Sequence, residues 1–215
     1  MSLSNKEIYA SPKIINFYTE KLKEFGDSPQ GVGWKDERAQ LIRFEQLVKV
    51  IQHKNNFSIN DLGCGSGRLF NYLLSENYAP SIYHGYEILE EMLHSAEKNL
   101  LPDARVALRK IESSLAMTLS DYTVASGIFN VKYEAEEREW LSHILSTIHA
   151  MHERSSAGFA FNLLTNYSDK EYMQAYLYYA DPLFLFDYCK KNFSKNVALL
   201  HDYFQYDFTI IVRKV

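Results

Sequence analysis

Residues 57 to 67 read Phe57-Ser58-Ile59-Asn60-Asp61-Leu62-Gly63-Cys64-Gly65-Ser66-Gly67, and a helical pattern follows at once. A short apolar-alternating run that ends in three glycines at alternate positions admits few folds. A tight strand-to-helix turn needs φ angles that a Cβ disfavours, and a ligand lying against bare main chain leaves no room for side chains. The helix that follows aims its unpaired N–H groups and the positive end of its dipole into the same crevice. Such a strand, loop and helix form the opening of a nucleotide-cofactor site in an alternating α/β fold.

The remaining pattern agrees with that opening. Ser81 to Glu87, Ala104 to Leu108, Tyr122 to Phe129 and Gly158 to Leu164 read as further strands. Leu89 to Leu100 and Glu134 to Met151 read as helices between them, the latter with Trp140, Leu141, Ile144, Leu145, Ile148 and Met151 on one stripe. Ser168 with Glu171 forms a capping box that predicts a tyrosine-rich helix, and Asp181-Pro182 opens one more helix, to about Lys191. The segments Val197 to His201 and Tyr206 to Val212 are too close for a helical crossover, so they must pair antiparallel. Before the first strand, Ser11-Pro12 opens one helix, which Gly26 closes, and Asp36 caps a second. The expectation is one domain over residues 1–215, with 1–55 an N-terminal helical cap and 56–215 an α/β core. The core is a doubly wound sheet, parallel except at the C-terminal hairpin.

Composition narrows the partners. The 215 residues carry 23 basic against 27 acidic side chains, a net charge of −4, and the basic residues form no continuous track. This argues against a nucleic-acid partner. No run approaches the roughly 20 apolar residues of a membrane span, and no secretory pattern opens the chain, so a cytoplasmic protein is expected. Two cysteines, one inside the glycine loop, do not make a disulfide framework. His149 and His152, three residues apart with Glu153 beside them, lack a third distant ligand, and no metal site is expected. The composition leaves the oligomeric state open.

Spacing separates the cofactors. A dinucleotide fingerprint places its third glycine one residue later, where this chain has Arg68, and the Gly-Lys-Ser/Thr of a phosphate-binding loop is absent. The run Asp61-Leu62-Gly63-Cys64-Gly65-Ser66-Gly67 resembles motif I of the class I S-adenosylmethionine-dependent methyltransferases. An acid at the end of the next strand is the second requirement, since its two oxygens can accept from both ribose hydroxyls. Glu87 stands there, within Gly85-Tyr86-Glu87-Ile88-Leu89-Glu90-Glu91-Met92-Leu93, which resembles the family's second motif. Ala125-Ser126-Gly127-Ile128-Phe129-Asn130 resembles the motif IV region beside the donor methyl. The resemblance spans roughly residues 35 to 215 and implies a Rossmann-like seven-stranded sheet with S-adenosylmethionine as cofactor. It implies cofactor contacts at Asp61, Gly63, Cys64, Gly65, Gly67, Glu87, Ile88 and Ser126. Two family features are missing. Arg109-Lys110-Ile111-Glu112 replaces the Asp and small residue that meet the adenine amino group in many relatives, and there is no Asn-Pro-Pro-Tyr signature of exocyclic-amine methylation.

On the acceptor side, Trp34, Phe129, Asn130, Asn166 and Tyr167 are the candidates, because strands 4 and 5 should end in the same crevice as the glycine loop. Asn130 either orients a substrate or caps the turn before the next helix. Arg43 or Gln40 is expected to reach the methionine end of the cofactor, a guanidinium being suited to a carboxylate through two parallel hydrogen bonds. Methyl transfer from a sulfonium needs chiefly alignment, so a general base is optional, and His201, His94 and Tyr167 are not ranked by spacing. The acceptor is expected to be a small molecule. A non-catalytic S-adenosylmethionine-binding protein of the same fold and an NAD-dependent oxidoreductase remain as alternatives.

Overall fold

A computed structural model of the chain describes residues 12–28, 30–32 and 35–214. Seven strands form one sheet in the order β3-β2-β1-β4-β5-β7-β6. They are β1 (Ser58–Leu62), β2 (Ile82–Glu87), β3 (Val106–Lys110), β4 (Ser120–Ala125), β5 (Ser155–Leu164), β6 (Asn196–Leu200) and β7 (Asp207–Arg213). All neighbours from β3 to β5 pair parallel, and β7 lies antiparallel to both β5 and β6. The expected hairpin therefore forms, and it places β7 inside the sheet and β6 at the edge. Strand order reverses between β1 and β4, and in open α/β sheets the crevice outside the carboxyl ends at such a point is where ligands bind.

Helices cover both faces, because parallel strands must be buried on two sides. One face packs Leu62, Phe159, Phe161, Phe208, Ile210 and Val212 against α5 (Glu137–Glu153) and α6 (Pro182–Asn192). Of the expected stripe on α5, Trp140, Ile144, Ile148 and Met151 are buried, while Leu141 and Leu145 are half-buried and His143 and Thr147 are buried beside them. The other face packs Ile59, Tyr83, Val124 and Ile211 against α2 (Glu37–Leu47) and α3 (Arg68–Ser75), with Leu100 at the end of α4 (Glu90–Leu100). The first helix is α1 (Pro12–Phe25); its expected cap, Ser11, lies outside the described residues. Asp36 caps α2 as expected, its Oδ1 accepting from the Ala39 N–H at 2.8 Å. No helix among the described residues is long and apolar enough to cross a membrane.

Three local expectations change. Strand β3 runs two residues later than its apolar pattern suggests, and β4 ends at Ala125 rather than Phe129. Gly127 turns the chain there with φ 73°, and Phe129 folds back into the core, fully buried. The tyrosine-rich helix does not form; only a 3-10 turn, Lys170–Tyr172, follows Ser168. Ser168 Oγ donates to the Thr165 carbonyl at 2.7 Å instead of capping. The backbone here is claimed by distant partners. Lys132 and Tyr133 N–H both donate to the Tyr176 carbonyl, Tyr178 N–H to Asn130, and Ala180 N–H to Leu164. Long-range pairing has displaced the local i to i−4 bonds, which a weak helix former such as Tyr does little to defend.

Candidate active site

The glycine loop sits where β1 meets α3. Gly63 has φ 77°, and a Cβ there would stand 2.3 Å from Ile128 Cγ2; Gly67 has φ 82°, and its Cβ would meet Leu100 Cδ1 at 2.4 Å. Both positions therefore exclude side chains twice over, by backbone conformation and by space. The loop is tied to β2 through Gly63 and Cys64 N–H, which both donate to the Tyr86 carbonyl, at 2.8 and 3.0 Å.

Glu87, the last residue of β2, faces this loop. Its Oε2 accepts from Gly65 N–H at 2.9 Å, and its Oε1 accepts from Ile88 N–H at 2.7 Å and Leu89 N–H at 3.1 Å. Burial pushes its pKa above the ordinary carboxylate value, and these three N–H bonds work against that rise. Oε2 has one backbone partner, so it keeps accepting capacity toward the crevice. Asp61, two residues before Gly63, accepts from Tyr83 Oη at 2.5 Å. Burial is the largest cause of its pKa being pushed up to about 7; the Tyr83 bond opposes the rise and the neighbouring Glu87 adds to it. The site thus holds two buried carboxyls, an arrangement kept where charge has work to do.

These groups line one crevice enclosing about 950 Å³, its open mouth included. Its floor is the glycine loop with Asp61, Glu87 and Ile88; Leu89 and Met92 of the α4 approach form an apolar wall beside Ile88. Ser126, Gly127 and Ile128 after β4 form the opposite side, and the Ser126 Oγ is buried with no hydrogen-bond partner in the described structure. Ile14, Ile15 and Tyr18 of α1 and Gln40 of α2 close it from above. Tyr18 is shifted upward in pKa by burial first and by Glu87 second, which places its hydroxyl within electrostatic reach of that carboxylate.

Of the residues singled out in the sequence, Asp61, Gly63, Cys64, Glu87, Ile88 and Ser126 converge on this crevice, with Gly65 and Gly67 shaping the loop behind it. Others go elsewhere. Arg43 is buried and forms an ion pair with Asp207 at the start of β7, while its Nη1 donates to the Ala39 carbonyl. Gln40, not Arg43, lines the crevice. Asn130 serves the scaffold, its Oδ1 accepting from Leu164 N–H at 3.1 Å, and Phe129 is core. Asn166 and Tyr167 are exposed, Tyr167 with its ring 6.1 Å from His201, and neither lines the crevice. Trp34 lies outside the described residues. His149 and His152 pack against Phe193, both with ring centroids 4.8 Å from it.

The sequence reading missed the α1 wall, Met92 and Trp140. Met92 could have been inferred, since it lies five residues past Glu87 on the buried side of α4. Tyr18 and Trp140 could not, because their side chains reach the site only through the packing of α1 and α5.

No protein-family model matches the chain. Rv1506c of Mycobacterium tuberculosis (strain ATCC 25618 / H37Rv), named a candidate methyltransferase, is 44% identical over 167 residues, covering 78% of this chain and 99% of that protein. The chain belongs to the class I S-adenosylmethionine-dependent methyltransferase family. Solved methyltransferases share its fold at low identity. Magnesium protoporphyrin IX methyltransferase from Synechocystis PCC 6803, solved with SAH, matches with TM-score 0.63 and 12% identity over 94% of this chain and 99% of that one. The DhpI complex with SAM and HEP matches with TM-score 0.64 and 12% identity over the full length of both. In this methyltransferase the glycine loop after β1 and Glu87 at the end of β2 stand at the carboxyl ends of neighbouring strands, beside the switch point between β1 and β4.

Proposed function

We propose that this methyltransferase binds S-adenosylmethionine in the crevice above the glycine loop and passes its methyl group to a small-molecule acceptor. The observation that carries the reading is the Glu87 carboxylate, held by three backbone N–H groups at the end of β2 and facing a glycine loop that has no room for a Cβ at Gly63 and Gly67. Glu87 would take the ribose hydroxyls, and Ile88, Leu89 and Met92 the adenine. Gly63, Cys64, Gly65 and Gly67 bring main chain against the cofactor, and Asp61 offers its carboxyl to the cationic end. The unpartnered Ser126 Oγ is a buried polar atom awaiting a ligand group.

The bound cofactor supplies an already activated leaving group. The protein's part is to align donor and acceptor and to exclude water. Ile14, Ile15, Ile128 and Trp140 make the crevice largely apolar, which suits an uncharged or aromatic acceptor. Arg68, the basic side chain on its lining, is committed to Asp27 and Glu37. Helix α1 acts as the cap over the crevice, while α2, within the expected cap of residues 1–55, packs on the sheet face as part of the core. The net charge of −4 and the absence of a basic track support a small molecule over a nucleic acid.

Isothermal calorimetry with S-adenosylhomocysteine tests the cofactor assignment. Glu87→Ala should weaken binding by at least roughly tenfold, equivalent to a hydrogen bond to a charged group. A thermal shift with NAD and none with S-adenosylhomocysteine would refute the assignment. Screening metabolite pools with a labelled methyl donor then reads the acceptor.

A further inference from the structure

We infer that Arg68 is a positioning residue: together with Asp27 and Asn99 it clamps the end of α1 onto the glycine loop, so that the helix roofing the cofactor crevice and the loop flooring it are held as one unit. The inference rests on the cofactor reading above and adds to it a mechanical link between floor and roof.

Arg68 is the first residue of α3, directly after Gly67. Its guanidinium reaches both ends of the connection between α1 and α2. Nη2 donates to the Asp27 carbonyl at 2.9 Å, Nε lies 3.8 Å from Asp27 Oδ1, and Nη1 lies 3.9 Å from Glu37 Oε1 in the first turn of α2. Asn99, in the last turn of α4, completes the link. Its Nδ2 donates to Asp27 Oδ2 at 2.6 Å and to the Ser66 carbonyl of the glycine loop at 3.1 Å. Asp27 is thus joined to the loop by two independent side chains, one from the helix after it and one from the neighbouring helix.

The geometry explains why α1 needs such an anchor. The helix reaches the rest of the molecule through side chains near its start: Ile14 packs into the core, Phe17 meets Tyr133 and Tyr176 at 6.0 and 5.9 Å between centroids, and Lys13 pairs with Glu134. Its far end lies against the 3-10 turn Gln30–Val32 and is tied to the glycine loop by the clamp. Two rows of contacts, one aromatic and one polar, hold Tyr18 over the crevice between them. A planar guanidinium suits this task because one rigid fork can satisfy several acceptors in different directions, which an ammonium on a flexible stem does less well. The clamp atoms are partly exposed, so an isolated pair here would contribute little to stability. Its consequence is a coupling: a ligand that orders the glycine loop also orders α1, and a loose α1 weakens the ligand.

The test uses the full chain with three variants, Asp27→Ala, Arg68→Gln and the double variant. Titration with S-adenosylhomocysteine should show each single variant binding roughly five- to tenfold more weakly. The double variant should be weaker than either single, because Asp27→Ala removes the Asn99 link and leaves the bond from Arg68 to the Asp27 carbonyl, which Arg68→Gln removes. Hydrogen exchange of the amides of residues 12–25 should be faster in both singles than in the wild type and should slow less on ligand addition. Thermal melting serves as the folding control, with midpoints close to wild type because Arg68 and Asp27 side chains are 30% and 35% exposed. Wild-type affinity in Asp27→Ala, or unchanged exchange over residues 12–25, overturns the clamp. Weak binding in Arg68→Gln beside normal binding in Asp27→Ala also overturns it, because Arg68 would then act by touching the ligand. If the wild type itself fails to bind S-adenosylhomocysteine, the cofactor reading falls, and the exchange measurement still decides the clamp.

Discussion

Asp61→Asn should stabilise this protein at alkaline pH and weaken its cofactor site. The carboxyl is buried on the β1 face beside Tyr83 and within electrostatic reach of Glu87, and desolvation pushes its pKa from 3.8 to about 7. In the unfolded chain it titrates near its ordinary value. Between about pH 4 and pH 7 the folded form keeps a proton that the unfolded form has lost, so stability falls as pH rises across that window. At roughly 1.4 kcal/mol per pKa unit, ionised Asp61 costs the native state about 4 kcal/mol at pH 8. Asparagine has the same shape, still accepts from Tyr83 Oη, and carries no charge to bury. Urea denaturation of both proteins from pH 4 to pH 8.5 should give curves that meet at the acid end. They should separate through neutrality, with the asparagine variant ahead by several kcal/mol above pH 7.5. S-adenosylmethionine affinity should fall in the same variant by roughly tenfold, since the cationic ligand loses its carboxylate partner. Stability rising while binding falls is the mark of a group retained for function. A gap independent of pH, or an asparagine variant weaker than wild type at pH 8, would refute the argument that burial of this charge dominates.

Two further outcomes follow from the packing. Arg43→Ala should destabilise the fold by about 3–5 kcal/mol in urea melts, because it strips the cation from Asp207, whose carboxyl is fully buried and whose pKa burial has pushed up to about 6; S-adenosylhomocysteine affinity measured on the folded fraction should change little, against the sequence-based expectation that this arginine holds the cofactor. Gly63→Ala should abolish S-adenosylhomocysteine binding in calorimetry and lower the melting midpoint, and adding Ile128→Ala should recover only part of the midpoint, because the clash with Ile128 Cγ2 is relieved while the strain of φ 77° stays.

Much of the fold was legible because its determinants are local. The glycines at 63, 65 and 67 adopt positive φ, at 77°, 53° and 82°, and a backbone demand of this kind is written directly into residue type. Period-3.6 stripes such as Trp140, Ile144, Ile148 and Met151 name a buried face whatever packs against it. The six-residue connection from Leu200 to Asp207 is too short for a crossover, so antiparallel pairing followed from length alone. Glu87 could be placed because it ends a strand a fixed distance after the loop, and parallel register carries that distance into space.

Tertiary structure decided what local pattern does not encode. The capping box at Ser168 and Glu171 is a sound helix signal, yet Asn130, Lys132 and Tyr133 bind that stretch to the loop after β4, and these partners lie over thirty residues away in sequence. Arg43 looked free to reach a ligand from the flank of α2, but the insertion of β7 into the sheet set the Asp207 carboxylate beside it, and a buried carboxylate holds its cation. Arg68 read only as a missing glycine; its meaning appeared when Asp27, Glu37 and Asn99 were brought around it. The sequence by itself determined the donor side, because close approach of main chain to a cofactor constrains residue type position by position. The α1 roof, the Arg43–Asp207 pair and the contacts of Arg68 with Asp27 and Glu37 arise between distant segments, and only the packed fold brings those together.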